Sequence, residues 1–377
     1  MAENPEIQWS ENGVPCTALW HSESGHAPPK RVVVADDRMT ADAAYRLASQ
    51  GTSILWRGDF QNARQMLHAL ARRIDRKSPK PGDSARDSFH LLRQAQAQRA
   101  RILGALLLPF ETDYAIPLRR APDVRLACSE VLGPSTGPSV LSLRELLGLI
   151  GAHEWRKKGI ELAPVGERIY PHYGVFAPVR SEYLDLVAKA PLPPVSLAFD
   201  IGTGTGVLSV LLAKRGVARI VATDQEPRAL TCARENIARL GLEHTITVQE
   251  ADLFPVGRAD LIVCNPPWIP SRPSSPLEQA IFDPHSRMLL GYLGGLKEHL
   301  EEGGEGWLIL SDIAEHLGLR TRAELLDAFA AAKLKVIAQS EVVPVHRKAH
   351  DPDDPLSFAR RAERTSLWRL AVDDRPA

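Results

Sequence analysis

Four short stretches carry residues whose types and spacing suit chemistry on a small ligand. In AFDIGTGTGVLSVLLAKRG (Ala198 to Gly216), an apolar run ends at Asp200, and glycines follow at 202, 204 and 206 ahead of a helical pattern. Glycine lets the backbone turn sharply and lets a ligand approach it without a side chain in the way. A tight strand-to-helix connection needs glycine anyway. The spacing is G-x-G-x-G rather than G-x-G-x-x-G, and no phosphate-gripping Lys-Ser/Thr follows. Asp200 would repel a pyrophosphate but can receive the ammonium of an amino-acid-like ligand. Asp224 ends the next apolar run; it can accept from both hydroxyls of a ribose, or cap the helix that begins near Pro227. Asp252 closes a third run and can accept from the exocyclic amine of adenine, or cap a turn. Three acids at the ends of successive strands converge on one crevice at the carboxyl edge of a sheet.

The fourth stretch is Asn265-Pro266-Pro267-Trp268, closing the run ADLIVC. Two prolines permit a stiff chain reversal and nothing more. Proline also fixes φ and removes backbone donors, so Asn265 and Pro266 can present carbonyl oxygens to the same crevice. Two fixed acceptors can hold both hydrogens of a flat NH₂ group and leave its lone pair aimed at an electrophile. Trp268 can stack on that group and exclude water. Such a site accelerates reaction by positioning and by stabilising charge that develops on nitrogen, with no strong general base.

The elements that must position these residues are legible from Val195 onward, where short apolar runs alternate with longer helical ones, the pattern of a parallel α/β sheet. Strands are expected at SLAFDI, ARIVATD, ITVQEA, DLIVCN, GWLILSD, LKVIAQSEVV and SLWRLAV, the last two as an antiparallel pair at the sheet edge. Helices are expected over 206–214, 226–240 and 321–332. The first 30 residues read as irregular. Thr40 is a candidate N-cap before Ala41 to Ser49, and FQNARQMLHALARRI aligns Phe60, Ala63, Met66, Leu67, Leu70 and Ile74 on one helix face. A further helix covers SFHLLRQAQAQRARILGALLL, and another LSLRELLGLIGAHEWRKKG. The expected organisation is a mainly helical N-terminal accessory domain, residues 1–165, followed by an α/β domain, residues 166–377.

The chain has 377 residues, 44% hydrophobic and 24% charged, with 46 basic and 46 acidic side chains. That balance carries no global signature for nucleic acid or membrane. Locally, Arg64 to Arg101 holds ten Lys and Arg against three Asp, a solvated basic hairpin or a surface for an acidic macromolecule such as RNA. No basic-then-apolar leader opens the sequence, and the longest apolar runs are too short to span a bilayer. Cys16, Cys128, Cys232 and Cys264 are isolated, with neither zinc spacing nor disulfide density. A cytoplasmic protein without a membrane partner is expected.

FDIGTGTG, Asp224, Asp252 and NPPW together resemble the class I S-adenosylmethionine-dependent methyltransferases, over roughly Tyr170 to Val372. The resemblance implies a Rossmann-like seven-stranded sheet and S-adenosyl-L-methionine as cofactor. It implies that Asp200, Gly202, Thr203, Gly204 and Gly206 surround the methionine and ribose portion, that Asp224 holds the ribose and Asp252 the adenine. Asn265 then holds the acceptor nitrogen, with Pro266, Pro267 and Trp268 completing the catalytic turn of the branch that methylates planar nitrogens. LEQAIFDPHSRMLLGYLGGL and VFAPVRSEYLDLV resemble segments of the protein-glutamine N5-methyltransferases that modify release factors. Trp268 stands where that family usually has Tyr, and Arg180 and Glu182 are spaced differently. The implied acceptor is a protein or RNA of the translation machinery. Alternatives are an rRNA guanine N2-methyltransferase, a small-molecule amine methyltransferase, a non-catalytic binding protein on this fold, and a nucleotide-dependent oxidoreductase, which the glycine spacing and Asp200 disfavour.

Three other stretches have two readings each. GVFAPVRSEYLDL is a helix start packed on the sheet or a flap over the cofactor, with Arg180 and Glu182 paired. EWRKKG and YPHY are packing clusters or approach a substrate. His346 and His350, with Asp351 and Asp353 nearby, lack a third defined ligand, and no metal is expected.

Overall fold

Asn12 and Gly13, both at positive φ (52° and 82°), turn the start of the chain back on itself. In the computed structural model, which describes residues 5–76, 79, 81–179, 181–273, 276–344 and 354–374, β1 (Glu6–Glu11) and β2 (Val14–Trp20) pair antiparallel around this Asn-Gly turn. An Asn-Gly pair between alternating strands is a strong hairpin signal, so the irregular reading of the first 30 residues is corrected. There follow β3 (Val32–Ala35), α1 (Ala41–Ser49), β4 (Ser53–Trp56), α2 (Phe60–Asp75), α3 (Ala85–Gly104), β5 (Leu106–Phe110), α4 (Arg125–Leu132), β6 (Ser139–Ser142) and α5 (Leu143–Lys158). The six strands form one sheet in the order β1-β2-β6-β5-β4-β3, with Ile7, Trp20, Leu55, Leu107 and Val140 buried together. The helical expectation for this part passed over that sheet. Strands of four or five residues, buried on both faces, read as apolar stretches that a helix absorbs equally well.

The expected helices are present, but the one read through Leu108 ends at Gly104, ahead of β5. Thr40 caps α1 by accepting from the Ala43 amide at 3.3 Å, and α2 buries Phe60, Ala63, Met66, Leu67 and Leu70. Part of the basic excess is neutralised locally, by Arg73 on Asp42 at 2.8 Å and Arg99 on Asp75 at 2.9 Å.

The chain divides into two units, residues 1–81 with 90–154 and residues 82–89 with 155–377. The boundary read at 165/166 cuts the hairpin of β7 (Ile160–Leu162) and β8 (Glu167–Ile169). The structure keeps this hairpin whole within the second unit.

That unit continues through α6 (Glu182–Lys189), β9 (Leu197–Ile201), α7 (Val207–Lys214), β10 (Arg219–Asp224), α8 (Pro227–Arg239), β11 (Ile246–Glu250), β12 (Ala259–Cys264) and α9 (Pro276–Gln279). A short 3₁₀ turn at Pro284–Ser286 leads into α10 (Arg287–His299) and β13 (Leu300–Ser311). The last elements are α11 (Ile313–His316), α12 (Arg322–Ala331), β14 (Leu334–Val342), α13 (Ser357–Ala362) and β15 (Thr365–Val372). The sheet order is β11-β10-β9-β12-β13-β15-β14. Its first five strands are parallel, and β15 runs antiparallel to both neighbours. The expected seven strands are all present.

Alternate residues feed two cores, as a sheet covered on both faces requires. Ala198, Leu261, Val263, Trp307 and Ile309 pack with residues of α6 and α7. Phe199, Ile262, Leu308 and Leu310 pack with residues of α10 and α12. Between β9 and β12 the chain order reverses direction across the sheet, so the carboxyl ends of β9, β10 and β12 open a crevice there.

Candidate active site

At the end of β9, Gly202, Gly204 and Gly206 all lie at positive φ (70°, 55° and 81°). Non-glycine residues avoid this region because their Cβ crowds the carbonyl. Gly202 is doubly constrained, because a Cβ there would meet the Cε of Met288. The Thr203 amide donates to the Thr223 carbonyl at 2.8 Å, tying the turn to β10, and Gly206 opens α7.

Asp200 lies beneath this turn, fully buried. Its Oδ2 accepts from the Thr203 hydroxyl at 2.7 Å, the Ser209 hydroxyl at 2.6 Å and the Ser209 amide at 3.1 Å. It is absent from the cavity wall, which corrects the expectation that this carboxylate faces the ligand. Burial pushes its pKa up, against the hydrogen bonds that lower it. Its Oδ1 is buried without a hydrogen-bond partner.

Asp224 does line the cavity. Its Oδ2 accepts from the Gly204 amide and its Oδ1 from the Glu226 amide, each at 3.0 Å. The N-cap of α8 is Glu226, whose side chain makes no capping bond, so Asp224 shapes the approach to the helix without capping it. With four acceptor directions and these backbone donors, the carboxylate keeps acceptor capacity for a ligand hydroxyl. Burial raises its pKa. Asp252 also borders the cavity, but it is exposed and paired with Arg287 at 2.6 Å. Next to it, Leu253 holds φ at +75° while its carbonyl accepts from the Thr223 hydroxyl at 2.6 Å. No sequence signal marked that left-handed leucine.

Asn265, Pro266, Pro267 and Trp268 leave β12, the parallel neighbour of β9, and line the same cavity, which measures about 720 Å³. The indole N–H of Trp268 donates to Asn265 Oδ1 at 2.9 Å, and the ring packs against both apolar cores. Beyond the turn, Ile269 pairs with Phe282, and the Asp283 amide donates to the Ile269 carbonyl at 2.8 Å. Asp283 then accepts from the Met288 and Leu289 amides, each at 3.1 Å, and so caps α10.

Val175, Phe176 and Tyr183 line the cavity, and the start of α6 packs on the sheet through Tyr183 and Leu184. Arg180, expected to pair with Glu182, lies outside the described residues. Arg360 and Glu363 line the cavity from the end of α13, with Glu363 accepting from the Ser311 hydroxyl at 2.8 Å. Neither was singled out from sequence, since the segment carries no motif. EWRKKG and YPHY turn out to pack on α8, with Arg156 at 3.0 Å and His172 at 2.9 Å both on Glu235. His346, His350, Asp351 and Asp353 lie outside the described residues. Among the described residues no group of three potential metal ligands occurs, and no helix is long and apolar enough to cross a membrane.

A family model described as ribosomal protein L11 methyltransferase (PrmA) matches residues 184–266. A release factor glutamine methyltransferase of Cereibacter sphaeroides is 34% identical over 194 residues, 46% of this chain and 68% of that one. A tRNA1(Val) (adenine(37)-N6)-methyltransferase of Shewanella loihica is 31% identical over 213 residues, 52% of this chain and 85% of that one. The chain belongs to the class I S-adenosylmethionine-dependent methyltransferases. This methyltransferase is also 43% identical over 72 residues to a ribosomal protein L11 methyltransferase of Symbiobacterium thermophilum, 19% of this chain and 24% of that one.

S-adenosylmethionine is the methyltransferase's cofactor, and the site has features that suit it. The glycine turn keeps side chains away from one wall of the cavity, and Asp224 offers two acceptor oxygens beside it.

Proposed function

We propose that this methyltransferase transfers a methyl group to a planar nitrogen of a macromolecule of the translation machinery, with the side-chain amide of a protein glutamine as the leading acceptor. The observation that carries this reading is the Asn265-to-Trp268 turn at the end of β12, sharing a cavity with the glycine turn of β9. When bound, S-adenosylmethionine supplies an electrophilic methyl on its sulfonium. Asp224 would accept from the ribose hydroxyls and Asp252 would meet the adenine at the cavity rim. Thr203 and the three glycines would supply backbone contacts. Asn265 Oδ1 and the Pro266 carbonyl would accept the two N–H bonds of the acceptor, which fixes the plane of the NH₂ group and aims its lone pair. As the sulfonium's S–C bond breaks, its electron pair staying on sulfur as a neutral thioether, and the N–C bond forms, nitrogen would gain positive charge that these two oxygens would stabilise. The proton then departs to water. Pro267 stiffens the turn, and Trp268 shields it from solvent.

The protein acceptor is supported by the relatives that carry glutamine and ribosomal-protein methyltransferase names. An exocyclic amine of an RNA base is the second reading, favoured by the similarity to a tRNA adenine N6-methyltransferase. A guanine N2 acceptor belongs to this same class, and we expect the reaction in the cytoplasm. The test incubates the purified chain and methyl-tritiated S-adenosylmethionine with lysate from a strain lacking the protein, then separates protein, RNA and small molecules. Label in protein that acid hydrolysis releases as volatile methylamine supports a glutamine amide. Label in RNA supports the second reading, and label in neither macromolecule overturns both.

A further inference from the structure

We infer that Trp268 is a positioning residue that acts through Asn265: its indole N–H sets which end of the Asn265 amide faces the acceptor nitrogen. The inference rests on the functional reading above and sharpens one atom of it. An asparagine amide has two ends of nearly equal shape and opposite hydrogen-bonding character. If Oδ1 faces the acceptor, it takes an N–H and leaves the nitrogen lone pair free. If Nδ2 faces it, the amide donates toward that lone pair and ties up the nucleophile. An unconstrained side chain can take either orientation.

The indole N–H removes the choice, because it donates and cannot accept. At 2.9 Å from Trp268 Nε1, only Oδ1 satisfies it. One lone pair of Oδ1 is then committed to the indole, and the second is left for an N–H of the acceptor. The ring is held in turn by its packing against both sheet cores, so the donor cannot drift without opening apolar contacts. A Phe ring, smaller than indole, would keep part of the packing and lose the donor. A Tyr hydroxyl both donates and accepts, and so would impose no single orientation.

Two measurements on the full chain test this. In the ¹H–¹⁵N spectrum, the Trp268 indole signal, assigned by its loss in Trp268→Phe, is expected to be hydrogen-bonded and protected from exchange. It should become exposed to exchange in Asn265→Leu and persist in Asn265→Asp, which retains acceptor oxygens. An indole signal indifferent to Asn265→Leu overturns the bond.

The second measurement replaces Trp268 with 3-benzothienylalanine, which keeps the ring shape and lacks the N–H. We expect kcat for label transfer to the acceptor fraction to fall about tenfold or more, with KM and the cofactor Kd changed less than about threefold. Trp268→Phe should follow the analogue. Wild-type kcat in the analogue overturns the inference. Failure of the wild-type chain to transfer label would strike the functional reading alone, and the dependence of the indole signal on Asn265 would still decide the bond.

Discussion

Asp224 joins two strand ends: its Oδ2 accepts from the Gly204 amide at 3.0 Å, and its Oδ1 accepts from the Glu226 amide at the same distance. The carboxylate thereby fixes the glycine turn of β9 against the end of β10 before any ligand arrives. Its burial carries a cost that appears as a raised pKa.

Cofactor affinity should therefore depend on pH. With Asp224 in its proposed role, ribose hydroxyls would donate best to the ionised carboxylate, so affinity should be full above the raised pKa and fall as pH drops through it. The fall should begin above the ordinary Asp value of about 3.9. Asp224→Asn should bind more weakly and lose this step. Calorimetric titration of S-adenosylmethionine across acidic pH checks both, and a wild-type curve that matches the variant's would count against the assignment.

Asn265→Ala should separate binding from chemistry. Cofactor Kd should stay within about twofold, while turnover falls by about 10²–10³, the scale for losing one preorganised polar contact to developing charge. Equal loss of cofactor binding would make Asn265 a structural residue of the turn.

Gly202→Ala and Gly204→Ala should differ. Both place a Cβ at positive φ, costing about 1–2 kcal/mol. At Gly202 the new methyl also meets Met288, while at Gly204 nothing lies within reach. Gly202→Ala should show the larger drop in Tm and in cofactor affinity, and adding Met288→Ala should recover part of it.

The cysteines should react in two classes. Cys128, Cys232 and Cys264 are buried and Cys16 is half-buried. Burial pushes the thiols of Cys128 and Cys232 up to about 12 and that of Cys264 well above its ordinary value. The thiolate is the nucleophile, so iodoacetamide at pH 8 should label Cys16 in the native chain and the other three only on unfolding. Peptide mapping after timed labelling reads this directly.

Much of the second unit was legible because its signals are local. Strands β9, β10 and β12 are short, mostly apolar runs with an acid or Asn265 at or beside their ends. The glycines at 202, 204 and 206 mark a turn that no other residue tolerates as well. The β1–β2 hairpin carried an equally local signal in Asn12-Gly13, which the irregular reading overlooked. Strands β4, β5 and β6 had none, because four or five residues all buried show no alternation to read.

Residue type and order by themselves determined the chemistry available: three glycines in a turn, acids at successive strand ends, and an acceptor-rich N-P-P-W turn closing the fourth strand of that sheet. Only tertiary packing decided where each group points. Asp200 went under the turn because Ser209, in the first turn of α7, offers it two donors. Asp252 met Arg287 from α10 at the rim. Asp224 was drawn into two backbone bonds, and Trp268 turned its N–H onto Asn265. A strand end sets the position of a Cα, whereas the direction, burial and partner of its side chain depend on elements that arrive from elsewhere in the chain.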